Sequence, residues 1–337
     1  MSLNYLEKTI EPYKPLKDIN TIVVETNRIF HTFEAKEYDN NHPEIFMQLP
    51  PIYEEMCKLL PHDKSLKVLN FGCGTGFEAS QLLRNVQNNA QNIETLYCYD
   101  LSKEMLDICR QKLKNAAQNI MFVSDLSEIP PDIKFDVLAT NSLLHHLPKP
   151  FETVAELTKF MAEDCFYFMG HEDSARFYRN RELLNAINAG GSGVDSGDSS
   201  LSLNLKRISN IKKYPHYVKR LLGIAGNPYS LTAEKLVETG LFALKPDNNT
   251  INLIIDCCVP HDVSMAEEGV GFDFRTMSLH EDWELLYHKT YNFLNTETPM
   301  QKLGAADKRK YKMLEEKYPD DGLNFCCVWK RKQKEMK

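Results

Sequence analysis

The chain has 337 residues, 42% of them hydrophobic and 26% charged, with a formal net charge of −7. That is enough for one large domain with insertions, or for a core with a smaller cap, at ordinary globular composition. No apolar run approaches the ~20 residues that span a bilayer, and the acidic balance argues against general attraction to nucleic acid or anionic membrane.

The N-terminus, MSLNYLEKTIEPYKPLKD, carries charges where a signal peptide needs an apolar stretch, so a cytoplasmic setting is expected. Residues 1–60 read as helices and loops that fold over a sheet edge as a lid. From Lys67, apolar runs alternate with amphipathic segments: KVLNF, a helix from Gly76 to Val86, ETLYCYD, a helix from Ser102 to Ala117, IMFVSD, KFDVLAT, a helix after Pro150, and DCFYFMG. This alternation predicts parallel strands with helices on both faces, and right-handed crossovers make the sheet doubly wound.

Further on, AGGSGVDSGDSSLS (189–202) is a Gly/Ser/Asp run with little to bury and reads as a flexible loop. It lies within an expected insertion or cap, 171–229, which also holds six basic residues and no acid between Lys206 and Arg220. A helix is predicted over SLTAEKLVETGL, capped by Ser230 or Thr232 and ended by Gly240. TINLIIDCCV and LNFCCVWKRK read as the last strands, with helical patterns around LHEDWELLYHKTYNFL and AADKRKYKMLEEKY between them. The expected division is therefore a lid (1–60), a cofactor-binding core (61–170), the insertion (171–229), and the remainder of the core (230–337) with a helical insertion at about 260–322. Nine cysteines without CxxC spacing read as reduced, mostly buried thiols, and no metal site is assigned.

VLNFGCGTGF places Gly72, Gly74 and Gly76 in the loop after the first strand, at the carboxyl edge where doubly wound sheets bind ligands. Phe77 stands where a dinucleotide fingerprint needs its third glycine, and the Gly-Lys-Ser/Thr of a phosphate loop is absent. The spacing GxGxG resembles motif I of the class I S-adenosylmethionine-dependent methyltransferases. Asp100 ends the second strand, Asp125 ends the third in VSDL beside Leu126, FDVLATNSLLHHL resembles motif IV, and TGLF is similar to the family's helix ending.

The resemblance implies a Rossmann-like, mostly parallel, seven-stranded α/β sheet and S-adenosyl-L-methionine as cofactor. It implies that Asp100 takes the ribose hydroxyls and Asp125 the adenine amine. Leu101, Met105 and Leu126 would line the adenine slot. The loop residues Asn70, Gly72, Cys73, Gly74 and Gly76, with Asn141 and Tyr38, complete the expected cofactor site. Asn70 departs from the family, many of whose members begin motif I with an acid. An amide there still accepts a hydrogen bond, without charge pairing.

Methyl transfer needs an aligned nucleophile and, where a proton must leave, a base. His145 and His146 after the fourth strand and His171 and Glu172 at the end of the fifth are the candidates. Aromatic residues such as Phe177, Tyr178, Trp283, Tyr287 and Tyr291 are candidate substrate contacts or core. The expected activity is methyl transfer to an oxygen, nitrogen or carbon of a small molecule. The alternatives are a nucleic-acid methyltransferase, disfavoured by Asn141-Ser142-Leu143-Leu144 at motif IV, and a family member that binds the cofactor without transferring its methyl group. No oligomeric state is assigned.

Overall fold

The computed structural model describes residues 3–89, 91–116, 119–188, 227–260, 262–275, 283–295, 298 and 300–332. The run 189–202 and the basic stretch Lys206 to Arg220 lie outside them, as does most of the expected insertion. Seven strands, β1 (Ser65–Phe71), β2 (Asn92–Tyr99), β3 (Asn119–Val123), β4 (Phe135–Asn141), β5 (Met161–Asp173), β6 (Trp283–Tyr291) and β7 (Asn324–Arg331), form one sheet in the order 3-2-1-4-5-7-6. β1 to β5 run parallel, and β7 lies antiparallel between β5 and β6. The chain reverses its direction of winding between β1 and β4, so the loops after these strands open a crevice at the carboxyl edge.

Side chains alternate between two cores. Leu69, Phe71, Tyr97, Tyr99, Leu138, Tyr167 and Cys327 face one layer, while Val68, Leu96, Cys98, Val137, Phe168 and Cys326 face the other. Adjacent cysteines on β7 thus point to opposite faces, as the period of two requires. All nine cysteines are free and buried.

Before β1 come α1 (Asn4–Ile10), α2 (Ile19–Glu34), α3 (Tyr38–Asn41), α4 (Pro43–Gln48) and α5 (Pro50–Cys57). Asp18 caps α2 by accepting the Thr21 amide at 3.1 Å. Then follow α6 (Phe77–Asn88), α7 (Lys103–Leu113), α8 (Pro150–Leu157), α9 (Ala175–Arg179), α10 (Arg181–Asn188), α11 (Pro228–Glu238), α12 (Asn248–Ile255), α13 (Val263–Glu267) and α14 (Ala305–Lys317). α2 packs against α11 and α12 on one side of the sheet, and α5 packs against α6 on the other. Phe177 and Leu183 pack with Phe293, Tyr311 and Leu314 in a small third core, and Trp283 is buried in the first.

Two elements differ from the sequence reading. TINLIIDCCV is the helix α12 and its exit, not a strand. Its β-branched composition suggested extended chain, but Asp247 caps it by accepting the Thr250 amide at 2.7 Å. Buried Ile251, Ile254 and Ile255 follow the three-and-four spacing of a helix face. Conversely, the stretch around LHEDWELLYHKTYNFL contains β6, antiparallel to β7, so the segment 260–322 is not wholly helical. A register shift between Leu285 and Tyr287 leaves Leu286 exposed. That irregularity interrupts the period of two and made a strand look helical. Helix α11 is capped by Asn227, which accepts the Tyr229 amide, rather than by Ser230 or Thr232. Gly240, with φ +73°, does end the segment, but it leads into α12 rather than a strand.

Gly170 on β5 marks the tightest contact beneath the crevice. A Cβ there would stand 2.4 Å from Tyr53 Oη and 2.5 Å from Asn141 Oδ1. Gly170→Ala is expected to cost about 1–3 kcal/mol through overpacking; denaturant titration of the two proteins measures it, and an unchanged midpoint refutes the packing account.

Candidate functional site

The glycine loop is pinned to the end of β2. The amides of Gly72 and Cys73 both donate to Tyr99 O, at 2.8 and 2.9 Å, and the Gly74 amide donates to Asp100 Oδ2 at 2.8 Å. Gly72 has φ +74° and a Cβ there would strike the Leu143 side chain at 2.6 Å, so this glycine lets the β1 and β4 loops touch. Gly74 is different: its φ is +50° and nothing lies within 4 Å of a Cβ built on it. The backbone is bare at that point and open to the close approach of a ligand.

Asp100 Oδ1 also accepts the Ser102 amide at 2.8 Å. Burial pushes its carboxyl up to about 6, against the pull of those two amides. One cavity joins this corner to the loop after β4, and it is lined by Tyr38, Gly72, Cys73, Gly74, Asp100, Leu101, Met105 and Asn141 from the expected cofactor set. Phe71 and Tyr99, stacked with centroids 4.6 Å apart, add an aromatic wall that the sequence reading did not single out.

Four expected cofactor residues stand elsewhere. Gly76 begins α6 without lining the cavity. The exposed Asp125 caps the short turn Leu126–Glu128 by accepting the Ser127 amide at 2.8 Å, while Glu128 accepts the Asp125 amide in return. Leu126 packs on the first core. Asn70 is fully buried beneath the loop, where its Nδ2 donates to Glu78 Oε2 at 2.6 Å.

Glu78 therefore brings from α6 the acid that β1 lacks. It lines the cavity, accepts Tyr53 Oη at 2.6 Å, and is pushed up to about 8 by burial despite its two hydrogen-bond donors. The signal for it was a carboxylate on the buried face at the start of an amphipathic helix.

At the end of α2 the chain folds back over the loop. The Thr75 hydroxyl donates to Asp39 Oδ1 at 2.6 Å, and Lys112 of α7 pairs with the same carboxylate. Tyr38 is thereby held at the cavity with its ring 4.5 Å from that of His42. Burial works to lower His42, but Glu34 and Glu44 outweigh it and hold this imidazole up to about 10.

The four catalytic candidates separate. Glu172 is fully buried, and its two oxygens accept the amides of Leu143, Leu144 and His145, at 3.1, 2.8 and 3.2 Å. His145 Nδ1 donates to it as well, at 2.8 Å. Burial would lower His145, yet the Glu172 carboxylate raises it to about 9, so this imidazole is charged and engaged. His171 sits in a bulge of β5 with φ +52° and bonds Tyr291 Oη at 2.6 Å. Neither His145, His171 nor Glu172 lines the cavity.

His146 does line it. Its Nδ1 lies 2.9 Å from the Ile255 carbonyl at the end of α12. A carbonyl only accepts, so Nδ1 carries the proton and Nε2 keeps its lone pair. Burial, then the charge of His145, holds His146 well below the usual imidazole range, so it is neutral at pH 7.

Across from it stand two residues of α2 absent from the sequence reading. Asn27 and His31 both line the cavity, and the rings of His31 and His146 are 5.1 Å apart. Their signal was faint: two polar side chains four apart on an otherwise apolar helix stripe.

Among the described residues, two groups have the composition of metal ligands. The sulfurs of Cys73, Cys98 and Cys109, from the loop, β2 and α7, lie within 4.8 Å of one another, a grouping that spacing along the chain does not reveal. His145, His146 and Asp256 also cluster, but both Nδ1 atoms already donate, to Glu172 and to Ile255 O.

Residues 69–169 match the family model described as a methyltransferase domain. Over 104 residues the chain is 29% identical to the malonyl-acyl-carrier-protein O-methyltransferase of Halalkalibacterium halodurans, covering 29% of this chain and 36% of that protein. Malonyl-acyl-carrier-protein O-methyltransferase 1 of Ilyobacter polytropus is 25% identical over 172 residues, 49% of this chain and 59% of its own length. The chain thus spans about a third of the length of the first of these relatives and about three-fifths of the second. Among solved structures, the plantazolicin methyltransferase BpumL in complex with SAH aligns over 93% of this chain and 97% of its own, at 13% identity and a TM-score of 0.43. The chain carries a class I S-adenosylmethionine-dependent methyltransferase domain. No helix among the described residues is long and apolar enough to cross a membrane.

Two measurements probe the cofactor corner. Asp100→Ala is expected to weaken adenosylhomocysteine binding by about 1–3 kcal/mol, because the loop amide and the ligand hydroxyls lose one acceptor; unchanged calorimetric affinity would remove Asp100 from the site. Glu78 titrates near 4.5 when unfolded but near 8 when folded, so between those values the native state holds a proton that the unfolded chain has released. Stability then falls as pH rises through that window. Glu78→Gln is expected to flatten the decline, its Tm at the alkaline end rising relative to wild type by about 1–4 °C; parallel Tm curves would contradict the raised carboxyl.

Proposed function

We propose that this chain is an S-adenosylmethionine-dependent methyltransferase acting on a small molecule. The observation that carries the reading is one cavity shared by the bare Gly74 backbone with Asp100 on one side and a neutral His146 on the other. The residues fit the cofactor. Gly74 admits close approach, Asp100 can accept ribose hydroxyls, and Leu101, Met105 and the Phe71–Tyr99 wall offer an apolar slot. Tyr38 stands ready at the methionine end, and Glu78 and Asn141 supply polar fixings. Asn70 acts through Glu78, and Asp125 and Leu126 have no contact role in this assignment.

The cofactor supplies a methyl group already activated on a sulfonium. What remains falls to the chain's own side chains: excluding water, aligning the nucleophile and taking its proton. His146 Nε2 is the acceptor for that proton. His145 and Glu172 are positioning residues, since the carboxylate holds the β4 loop through three amides and His145 through its ring. Residues 1–60 serve as the lid, latched to the glycine loop through Asp39 and Thr75. The small-molecule reading is supported by the mostly apolar walls of the cavity and by the acidic net charge.

The test is incubation of the protein with methyl-labelled adenosylmethionine and a metabolite extract. Labelled small-molecule product is expected; tight adenosylhomocysteine binding without product would favour a cofactor-binding protein that transfers nothing. His146→Ala is expected to lower kcat about 100-fold to 10,000-fold while leaving adenosylhomocysteine affinity intact. Equal loss of both would place His146 in the cofactor site instead.

A further inference from the structure

We infer that the substrate presents an N–H or O–H group as its nucleophile, an amine or a hydroxyl, and that Asn27 and His31 of α2 are the residues that receive it. The inference rests on the transferase reading and narrows it, setting aside carboxylates and carbon acids.

Asn27 is 8% exposed and its amide orientation is dictated by its neighbours. Nδ2 faces three carbonyls, those of Val23, His146 and Ile255, at 3.1, 3.2 and 3.3 Å. Three acceptors around one group require the nitrogen there, so Oδ1 points the other way. That oxygen is buried and has no hydrogen-bond partner. One turn further along the helix, His31 Nδ1 is likewise buried and without a hydrogen bond, its nearest carboxylate oxygen, on Glu34, standing 3.8 Å away. Both residues line the same cavity as His146. An orphaned buried polar atom is costly, and two of them on residues of one cavity wall mark where a ligand supplies the missing partners.

The chemistry of that ligand follows from the atoms. Asn27 Oδ1 can only accept, and the His146 tautomer leaves Nε2 as an acceptor too. Two acceptors on residues that line one cavity suit a group with hydrogens to give. A carboxylate has none and would need a cation. Among the described lining residues the one permanent cation is Arg28, and its Nε and Nη2 are both taken by Glu25 Oε2, at 3.0 and 2.7 Å. His31 offers no charge either, because burial, against the pull of Glu34, lowers it to about 4.

In the transfer step the nitrogen or oxygen lone pair forms the new bond to carbon as the carbon–sulfur bond breaks. The sulfonium becomes a thioether, and the nucleophile's proton passes to His146 Nε2. Asn27 Oδ1, and His31 as second partner, hold the X–H group while this occurs.

The experiment uses the full chain with methyl-labelled adenosylmethionine and a metabolite extract, and reads the bond that is made. Labelled product is treated with mild alkali, which releases methanol from a methyl ester but not from an ether or a methylamine. Mass-spectrometric fragmentation then assigns the atom. Label retained on nitrogen or oxygen is the expected result. Label lost as methanol, or found on carbon, overturns the inference and leaves the transferase reading standing; no labelled product, with adenosylhomocysteine bound, overturns both. His31→Phe is expected to raise KM for the productive substrate about tenfold, the worth of one hydrogen bond, with adenosylhomocysteine affinity and Tm unchanged. Equal loss in all three would make His31 a packing residue.

Discussion

The carboxylate of Glu172 is the constraint on which the crevice depends. It is fully buried on β5, and it gathers three successive amides of the β4 loop together with the ring of His145. A charge at that depth persists only when its lone pairs are satisfied, and this loop supplies the donors. The loop in turn presents Leu143 to Gly72 and His146 to the cavity. Removing either oxygen would release two donors at once, so the loop's shape is set cooperatively rather than contact by contact.

Around this anchor two stretches far apart in the chain meet. α2 comes from before the first strand and α12 from beyond the fifth, yet both touch the β4 loop. Asn27 faces the carbonyls of His146 and Ile255, while the Cys258 amide and the Cys257 thiol reach the His145 carbonyl. The loops after β1, β2 and β4 furnish one side of the cavity, and α2 furnishes the wall facing them.

The glycine loop, the first five strands and Asp100 were legible because each is local: an apolar run, a turn that needs bare backbone, a carboxylate at a strand end. The wall was not. Asn27 and His31 precede His146 by more than a hundred positions, and only the packing of α2 brings them together. Glu78 was missed because Asn70 drew attention to the position where an acid was absent, while the acid arrived from the next helix. α12 and β6 exchanged appearances: isoleucines made a helix look extended, and the irregularity at Leu286 made a strand look helical. Asp125 is in the expected place at the end of the third strand, but it stands outside the cavity lining and its Oδ1 caps its own turn.

The proton on His146 is placed by the main-chain carbonyl of residue 255 rather than by a side chain. Every amino acid carries that oxygen, so substitution at 255 leaves the tautomer untouched. Insertion or deletion of one residue in α12 is another matter: each residue turns the helix by about 100°, and the carbonyl would swing away from the ring. The state of the imidazole is thus insensitive to the identity of residue 255 and acutely sensitive to the length of α12.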